Sequence, residues 1–215
     1  MKHSSELIVL QTTKVGEKSL VVHTLSGQWG RRSFISAAGS KTGAALQPLS
    51  LISAEVTENP KSDLWRISAI TARHTLAGLR TDFRKAAISM FISEVLLRTV
   101  KDGCCEDGLA QWCEKSILTL DALREGVANF HLLFLLELAS ALGFSPSYDD
   151  ILPFAGPQSH NIGKLLESGR AEALMLPLSG EDRSDIAARL VKYIGFHAET
   201  TIVIRSLDVL KELFR

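Results

Sequence analysis

The sequence predicts an α+β protein in which a five-stranded β-barrel over residues 1–80 precedes an α-helical bundle over residues 81–215. Up to residue 80, turn residues recur about every 8–12 positions, which is typical of a small barrel. Beyond residue 80, apolar residues recur at helical spacing, and Gly or Pro ends the segments. The charge changes at the same boundary. Residues 1–80 carry ten Lys and Arg against five Asp and Glu, whereas residues 81–215 carry 14 against 19. The basic first part therefore favours a polyanion partner, although the whole chain is neutral.

Five apolar runs within the first 80 residues are predicted to be strands. They span residues 5–13, 19–25, 30–37, 46–57 and 64–75. Turn chemistry separates the runs, at Val15-Gly16, at Ser26-Gly27, over residues 39–43 and at Asn59-Pro60. Five strands in about 75 residues suit a closed or nearly closed barrel such as the OB-fold. The fourth run is long and mixed, as expected of a strand that coils around a barrel.

The helical part is expected to begin with a helix over residues 82–100, capped by Thr81. Apolar residues lie nearly all the way round this helix, which predicts a central position in the bundle. Two more helices are predicted over residues 107–123 and 127–142, with Gly143 as a C-cap. Residues 145–159 contain three prolines and are predicted to be irregular. The remaining helices are expected around residues 162–166, 171–175, 184–197 and 201–214.

The cysteines and the apolar segments exclude several classes of protein. The chain has three cysteines and no CxxC pair, so neither a disulfide framework nor a zinc site is predicted, and a reducing compartment is expected. No signal-peptide core or membrane-spanning run is found. The most apolar stretch, residues 130–144, is broken by Glu137 and is interpreted as a buried helix. We therefore expect a cytoplasmic protein without a membrane partner.

No motif predicts catalysis or metal binding. The segment of residues 39–43 resembles a phosphate-binding loop, but Ser40 and Ile35 stand where that motif needs glycines, so an ordinary inter-strand loop is expected. The six histidines lack helical metal-ligand spacing, and no nucleophile elbow is present. Glu94 and Glu137 lie in apolar helices and are expected to form structural ion pairs, with Arg98 or Arg124 as candidate partners. We expect no catalytic residue, no metal ligand and no cofactor.

The strongest functional candidates are the cations of the predicted barrel and two aromatic residues beside them. The cations are Lys14, Lys18, Arg31, Arg32, Lys41, Arg66 and Arg73, and the aromatic residues are Trp29 and Phe34. Proteins that bind single strands combine a basic groove with aromatic rings on which bases stack. The alternative is that the two aromatic residues fill the barrel, which is the favoured interpretation for them, and that the cations form a solvated face. Arg31 and Arg32 are expected on opposite faces of one strand, so only one of them reaches a given ligand.

Several segments, in order along the chain, resemble the RecO family of bacterial DNA repair proteins. They are Ile8-Val9-Leu10, the run from Gly16-Glu17-Lys18 to Leu25, Gly30-Arg31, Leu46-Gln47-Pro48-Leu49, Phe134 to Leu138, Leu142 to Pro146 and Arg205 to Leu210. The resemblance covers nearly the full chain. It implies an N-terminal OB-fold, a C-terminal helical domain and association with the nucleoid. It also implies binding of single- and double-stranded DNA, annealing of complementary strands and work with RecR on DNA coated by single-stranded-DNA-binding protein, so that RecA loads. No cofactor turnover is implied.

The chain departs from the family pattern at one site. Many members carry a four-cysteine zinc site just after the Leu-Gly-Phe-x-Pro element, but no cysteine follows Cys113 here. We therefore expect packing to hold this segment, with Ile151 and Phe154 as candidates.

A second hypothesis treats the chain as a protein-interaction adaptor whose helical domain is the working part. Its partner would be RecR or the acidic, apolar tail of single-stranded-DNA-binding protein, with DNA contact secondary. Such a tail requires a cation beside an apolar groove, and Lys115 and Arg124 are the candidate cations.

Overall fold

The structure is a computed structural model that describes residues 2–144 and 146–214, with the side chains of residues 40–42 outside the description. Its first part contains five strands and one short helix. They are β1 (Lys2–Val15), β2 (Ser19–Ser26), β3 (Gly30–Ala37), α1 (Ser40–Ala45), β4 (Leu51–Thr57) and β5 (Trp65–Ala72). Helices form the rest: α2 (Ala77–Thr81), α3 (Phe83–Thr99), α4 (Leu109–Ala122), α5 (Phe130–Ala141), α6 (Tyr148–Ala155), α7 (Ser159–Glu167), α8 (Arg170–Met175), α9 (Gly180–His197) and α10 (Ser206–Leu213). The predicted α+β class, a five-stranded barrel followed by helices, is confirmed.

The strands form a closed barrel in the order β1-β2-β3-β5-β4, and β4 pairs with β1 to close it. The pairs are antiparallel except β3 with β5, which is parallel. This order is that of the OB-fold. Alternate side chains point inward and pack into one core, which includes Leu7, Val22, Phe34, Ile52 and Ile67.

The fourth strand begins at Leu51 and not at Leu46, because residues 46–49 form a turn that follows α1. Leu46 and Leu49 are nonetheless buried, at 3% and 0% exposed. Leu49 lies in the left-handed backbone region with φ 59°, and its amide donates to the Val9 carbonyl at 2.8 Å. An apolar turn that packs on the core has the composition of a strand, which is why the prediction extended the strand too far.

Residues 145–159 were predicted to be irregular, but α6 forms over most of them. Ser147 begins this helix with a capping box: the Ser147 hydroxyl accepts from the Asp150 amide, and the Asp150 carboxylate accepts from the Ser147 amide. Ile151 is 1% exposed, and the Phe154 ring lies 5.5 Å from the Tyr193 ring. Arg189 also donates to the Phe154 carbonyl at 3.0 Å. Packing and capping thus hold the segment, and no group of His, Cys, Asp or Glu within the described ranges is arranged to bind a metal.

The two carboxylates expected in ion pairs both have structural partners. The arginine beside Glu137 is not one of the two predicted, whereas the predicted Arg98 acts on Glu94 through its charge. Glu137 pairs with Arg170 at 2.7 Å. Glu94 accepts from the Ser206 amide at 2.9 Å and the Ser206 hydroxyl at 2.6 Å, and so caps α10. Burial acts to raise the pKa of Glu94, but hydrogen bonds from Ser206 and Arg205 and the nearby charge of Arg98 outweigh burial and lower that pKa.

The chain divides into two compact units, and the first is discontinuous in sequence. The barrel unit comprises the chain up to Ala77 together with Val100–Ile117, and the helical unit comprises Gly78–Thr99 and the chain from Leu118 onward. Within the barrel unit, the Gly103 amide donates to the Arg31 carbonyl at 2.8 Å. No helix in the described part of the chain is long and apolar enough to cross a lipid bilayer.

Candidate nucleic-acid interface

Arg31 and Arg32 leave opposite faces of β3, and each is engaged within the barrel unit. The Arg31 Nε donates to the Val100 carbonyl at 2.6 Å, and its Nη2 lies 3.8 Å from the Asp102 carboxylate. The Arg32 guanidinium lies over the Trp65 ring, 3.5 Å from its centroid. Both cations therefore have structural partners, and neither is the most available contact for a polyanion.

The aromatic residues of the barrel pack on one another. Phe34 is 0% exposed, and Trp29 is half-buried with its ring centroid 6.0 Å from that of Phe34. Trp29 also meets Trp65 edge-on, at 6.0 Å and 90°. We call Trp29, Phe34 and Trp65 the aromatic cluster. Sequence reasoning missed Trp65, although its position directly before the exposed Arg66 on one strand places it on the inner face.

Arg73 is also held by acids. Its guanidinium forms two hydrogen bonds of 2.9 Å to the Glu114 carboxylate and lies 3.2 Å from the Glu6 carboxylate. The hydrogen bonding to Glu114 raises the pKa of Arg73. Because both negative partners are already in place, Arg73 ties β5 to α4 and does not present a free charge.

Lys14, Lys18 and Arg66 differ from the other predicted cations, and we call them the outer cations. All three are exposed, and none takes part in an ion pair or a side-chain hydrogen bond with the described side chains, which exclude those of residues 40–42. Lys18 lies in the joint between β1 and β2, and Lys14 is the penultimate residue of β1. The side chain of Lys41 lies outside the described residues.

Strand pairing places Arg66 close to the first hairpin. Arg66 pairs with Ile35, Ile35 with Val21, and Val21 with Thr13, which directly precedes Lys14. Because neighbouring strands are about 4.8 Å apart, this row of four residues spans about 14 Å. The β2–β3 face and the β1–β2 and β4–β5 loops are the surfaces with which OB-folds bind oligonucleotides. Arg66 therefore lies on that face, and Lys14 and Lys18 lie at the β1–β2 turn beside it. Lys14 pairs with Leu20, so its side chain leaves the other face of β1 at the end of the strand.

The adjacent row of the same face contains His23 and Ser33. The His23 Nδ1 lies 2.8 Å from the Ser33 hydroxyl. Burial and then the charge of Arg31 lower the pKa of His23, against a smaller opposing effect of Asp102. His23 is thus neutral at pH 7 and adds a polar group, not a charge, to the face. Lys61, in the β4–β5 loop, is a further exposed cation that sequence reasoning did not select, although the turn at Asn59-Pro60 marks its loop.

The two cations predicted for partner binding lie in different units. Lys115 is exposed on α4 in the part that belongs to the barrel unit, and Arg124 is exposed in the helical unit. The helical unit has a groove of ≈ 520 Å³ beside α9. The groove residues are Phe154, Ala188, Val191, Lys192, Gly195, Phe196, Glu199, Thr200, Thr201 and Ile202. Phe196 is 67% exposed there. We call this the α9 groove.

Comparison with known proteins decides the family. Residues 1–75 match the family model "Recombination protein O N terminal", and residues 80–150 match "Recombination protein O C terminal". The "DNA repair protein RecO" of Bacteroides fragilis is 30% identical over 234 residues, which covers 96% of this chain and 97% of that protein. The chain belongs to the RecO family. RecO proteins of Phocaeicola vulgatus, at 29% identity over 96% of this chain and 97% of that protein, and Flavobacterium johnsoniae, at 27% over the whole of both, are similar as well. The chain is therefore a RecO-family DNA repair and recombination protein.

Proposed function

We propose that this RecO-family protein is a non-enzymatic recombination mediator that binds single- and double-stranded DNA through phosphate contacts on its barrel. In this proposal it anneals complementary strands and works with RecR on DNA coated by single-stranded-DNA-binding protein, so that RecA loads. One observation supports the DNA-binding site: the outer cations are exposed and unpaired among the described side chains. Arg66 lies on the OB-fold face that takes oligonucleotides, and Lys14 and Lys18 lie at the β1–β2 turn that borders this face. Membership of the RecO family supports the proposed work with RecR, single-stranded-DNA-binding protein and RecA.

The ion pairs narrow the set of candidate contacts. A cation already bonded to a carboxylate would have to break that bond, or share its charge, to neutralise a phosphate. Arg31 has Asp102 and the Val100 carbonyl, and Arg73 has Glu114 and Glu6. We therefore assign the phosphate contacts to Lys14, Lys18 and Arg66, with Lys41 and Lys61 as neighbours in adjoining loops.

The test is the salt dependence of DNA binding. Replacing Lys14, Lys18 and Arg66 together by alanine is expected to weaken binding of every sequence to a similar degree, because phosphates carry no sequence information. Each lost phosphate contact reduces the slope of log K against log salt by about 0.7 for a single strand, so the slope is expected to become shallower by about 2. Fluorescence anisotropy of a labelled 30-nucleotide strand, between 50 and 300 mM salt, measures both quantities.

A charge-matched variant provides the control. Replacing Lys164, Arg205 and Lys211 by alanine also removes two lysines and one arginine, but from exposed positions of the helical unit. This variant is expected to keep the wild-type slope. An unchanged slope in the Lys14/Lys18/Arg66 variant would refute the site, whereas a wild-type protein that binds no DNA would refute the function.

The α9 groove favours a second function, that of an adaptor for the tail of single-stranded-DNA-binding protein. The apolar walls of the groove include Phe154, Phe196 and Ile202, and Lys192 supplies a cation. This combination suits a peptide that is both acidic and apolar, which is the chemistry that the family resemblance gives to that tail. We propose this groove as the binding site; the earlier candidates Arg124 and Lys115 are not among its residues.

Titration of a labelled tail peptide with the full chain tests the adaptor function. Because Phe196 is 67% exposed, Phe196→Ala is not expected to unfold the protein, and it is expected to weaken binding about 30-fold if this ring is a central contact. Lys192→Ala is expected to weaken binding, and Glu199→Gln to strengthen it a few-fold, because Glu199 repels an acidic peptide. Leu152→Ala, at another exposed apolar position, serves as the control. Wild-type affinity in both the Phe196 and Lys192 variants would refute this site.

A further inference from the structure

The aromatic rings of the barrel and the exposed cation Arg66 lie on opposite faces of strands β3 and β5. On β5, Trp65 packs against the core, whereas the next residue, Arg66, is exposed. On β3, Phe34 is buried and pairs with Trp65, whereas Ile35 pairs with Arg66. Because successive side chains of a strand point to opposite faces, the rings and the guanidinium of Arg66 cannot contact the same part of a ligand.

The aromatic cluster is also occupied by its own contacts. Stacking of a base requires a free ring face. One face of Trp65 is covered by Arg32 at 3.5 Å, and its ring also meets Trp29 edge-on at 6.0 Å. Phe34 is fully buried beneath Trp29. To expose the covered face of Trp65, Arg32 would have to leave the ring and break its hydrogen bond to the Asp63 carbonyl.

We infer that the barrel holds a DNA strand by its sugar-phosphate backbone and leaves the bases turned away from the protein. This inference rests on the proposed function and specifies which part of the DNA the site takes. The outer cations contact phosphates, and the aromatic cluster stays packed against the barrel core, with Arg32 in place over Trp65. A strand held in this way keeps its pairing edges open to a complementary strand. The same contacts also accept a duplex, because a duplex presents the same phosphates.

An abasic strand tests the inference directly. Anisotropy titrations compare a labelled thymidine 30-mer with a strand of equal length in which tetrahydrofuran replaces most nucleosides, at the same salt. The two dissociation constants are expected to agree within about threefold, with the same salt slope. If the protein stacked bases, each stacked base would make the abasic strand bind roughly 5-fold to 150-fold more weakly.

Permanganate oxidation of the bound thymines provides a second readout, because this reagent attacks the exposed face of an unstacked thymine. Reactivity close to that of the free strand is expected at saturating protein. Protected thymines, or an abasic strand bound more than fivefold more weakly, would overturn the inference and leave DNA binding intact. If the wild-type protein binds neither strand, the proposed function itself fails. In the Lys14/Lys18/Arg66 alanine variant, an equal loss of affinity for both strands would show that the outer cations make the contacts. A loss of affinity for the thymidine strand alone would contradict the inference.

Discussion

Replacing Gly30 with alanine is expected to destabilise the barrel unit by about 2–5 kcal/mol. Gly30 has φ 59°, a left-handed conformation that costs an alanine about 1–2 kcal/mol. A Cβ at this position would also lie 1.8 Å from the carbonyl oxygen of Cys104, which is backbone and cannot rotate away. Displacing that segment adds about 1–3 kcal/mol of overpacking and strains the bond from Arg31 to the Val100 carbonyl.

Gly16→Ala separates the two causes. Gly16 has a similar φ of 62°, but a Cβ there would meet nothing within 4 Å. Its loss of stability is therefore expected to be about 1–2 kcal/mol, the conformational part alone. Urea unfolding followed by tryptophan fluorescence measures both variants, because Trp29, Trp65 and Trp112 all lie in the barrel unit. Equal losses in the two variants would show that the contact with Cys104 contributes nothing.

Acid is expected to destabilise the helical unit through His131, by about 2 kcal/mol between pH 7 and pH 5. Burial, and then the charge of Arg183, lower the pKa of His131 to about 3, from 6.5 in an unfolded chain. The ring is 2% exposed and stacks on Phe214. Below pH 6.5 the His131 imidazole becomes protonated in the unfolded chain but stays neutral in the folded chain. The free energy of unfolding therefore falls as the pH falls. Each pH unit below 6.5 costs up to about 1.4 kcal/mol, until the folded pKa is reached.

His131→Phe tests this pH dependence, because it keeps an aromatic ring beside Phe91 and Phe214 and removes the titrating group. Urea unfolding followed by far-ultraviolet circular dichroism, at pH 5, 6 and 7, is expected to show a weaker pH dependence in the variant by about 2 kcal/mol. The measurements stop at pH 5 because Glu94 and Asp182, whose pKa values are lowered, contribute to the pH dependence of stability at more acid pH. His160→Gln, at an exposed position, serves as the control. A variant with the wild-type pH dependence would contradict the assignment to His131.

The sequence was sufficient to predict a five-stranded barrel followed by helices, because apolar runs and the turn residues between them are local signals. The sequence could not show which cations are free of other partners and so available to contact a phosphate. Arg73 meets Glu114 41 residues away, and Arg31 meets Val100 69 residues away. A local sequence pattern does not reveal such partners. Only the tertiary contacts distinguish the three outer cations from the predicted cations that have such partners. Lys14, Lys18 and Arg66 carry no local mark that distinguishes them from Arg31.

The prediction was wrong where two kinds of local structure have the same amino-acid composition. Leu46 and Leu49 have the apolar character of a strand, but they lie in a turn that packs on the core. Pro153 suggested an irregular segment, yet it lies inside α6, which Ser147 and Asp150 begin with a capping box. Pro153 lies in the last turn of this eight-residue helix, where its missing amide removes a single i→i−4 hydrogen bond, and the capping box at the start of the helix offsets that loss.

The discontinuous barrel unit has a consequence for the order in which the protein folds during synthesis. The five strands are complete once β5 has emerged from the ribosome, but Gly30, Arg31 and Arg73 then still lack the segment between Val100 and Ile117 that they contact. The chain must therefore synthesise α3, which belongs to the other unit, before the barrel gains its last contacts. A nascent chain that pauses before this segment emerges would hold an unfinished barrel, in which Arg31 lacks Val100 and Asp102 and Arg73 has only Glu6 as a partner.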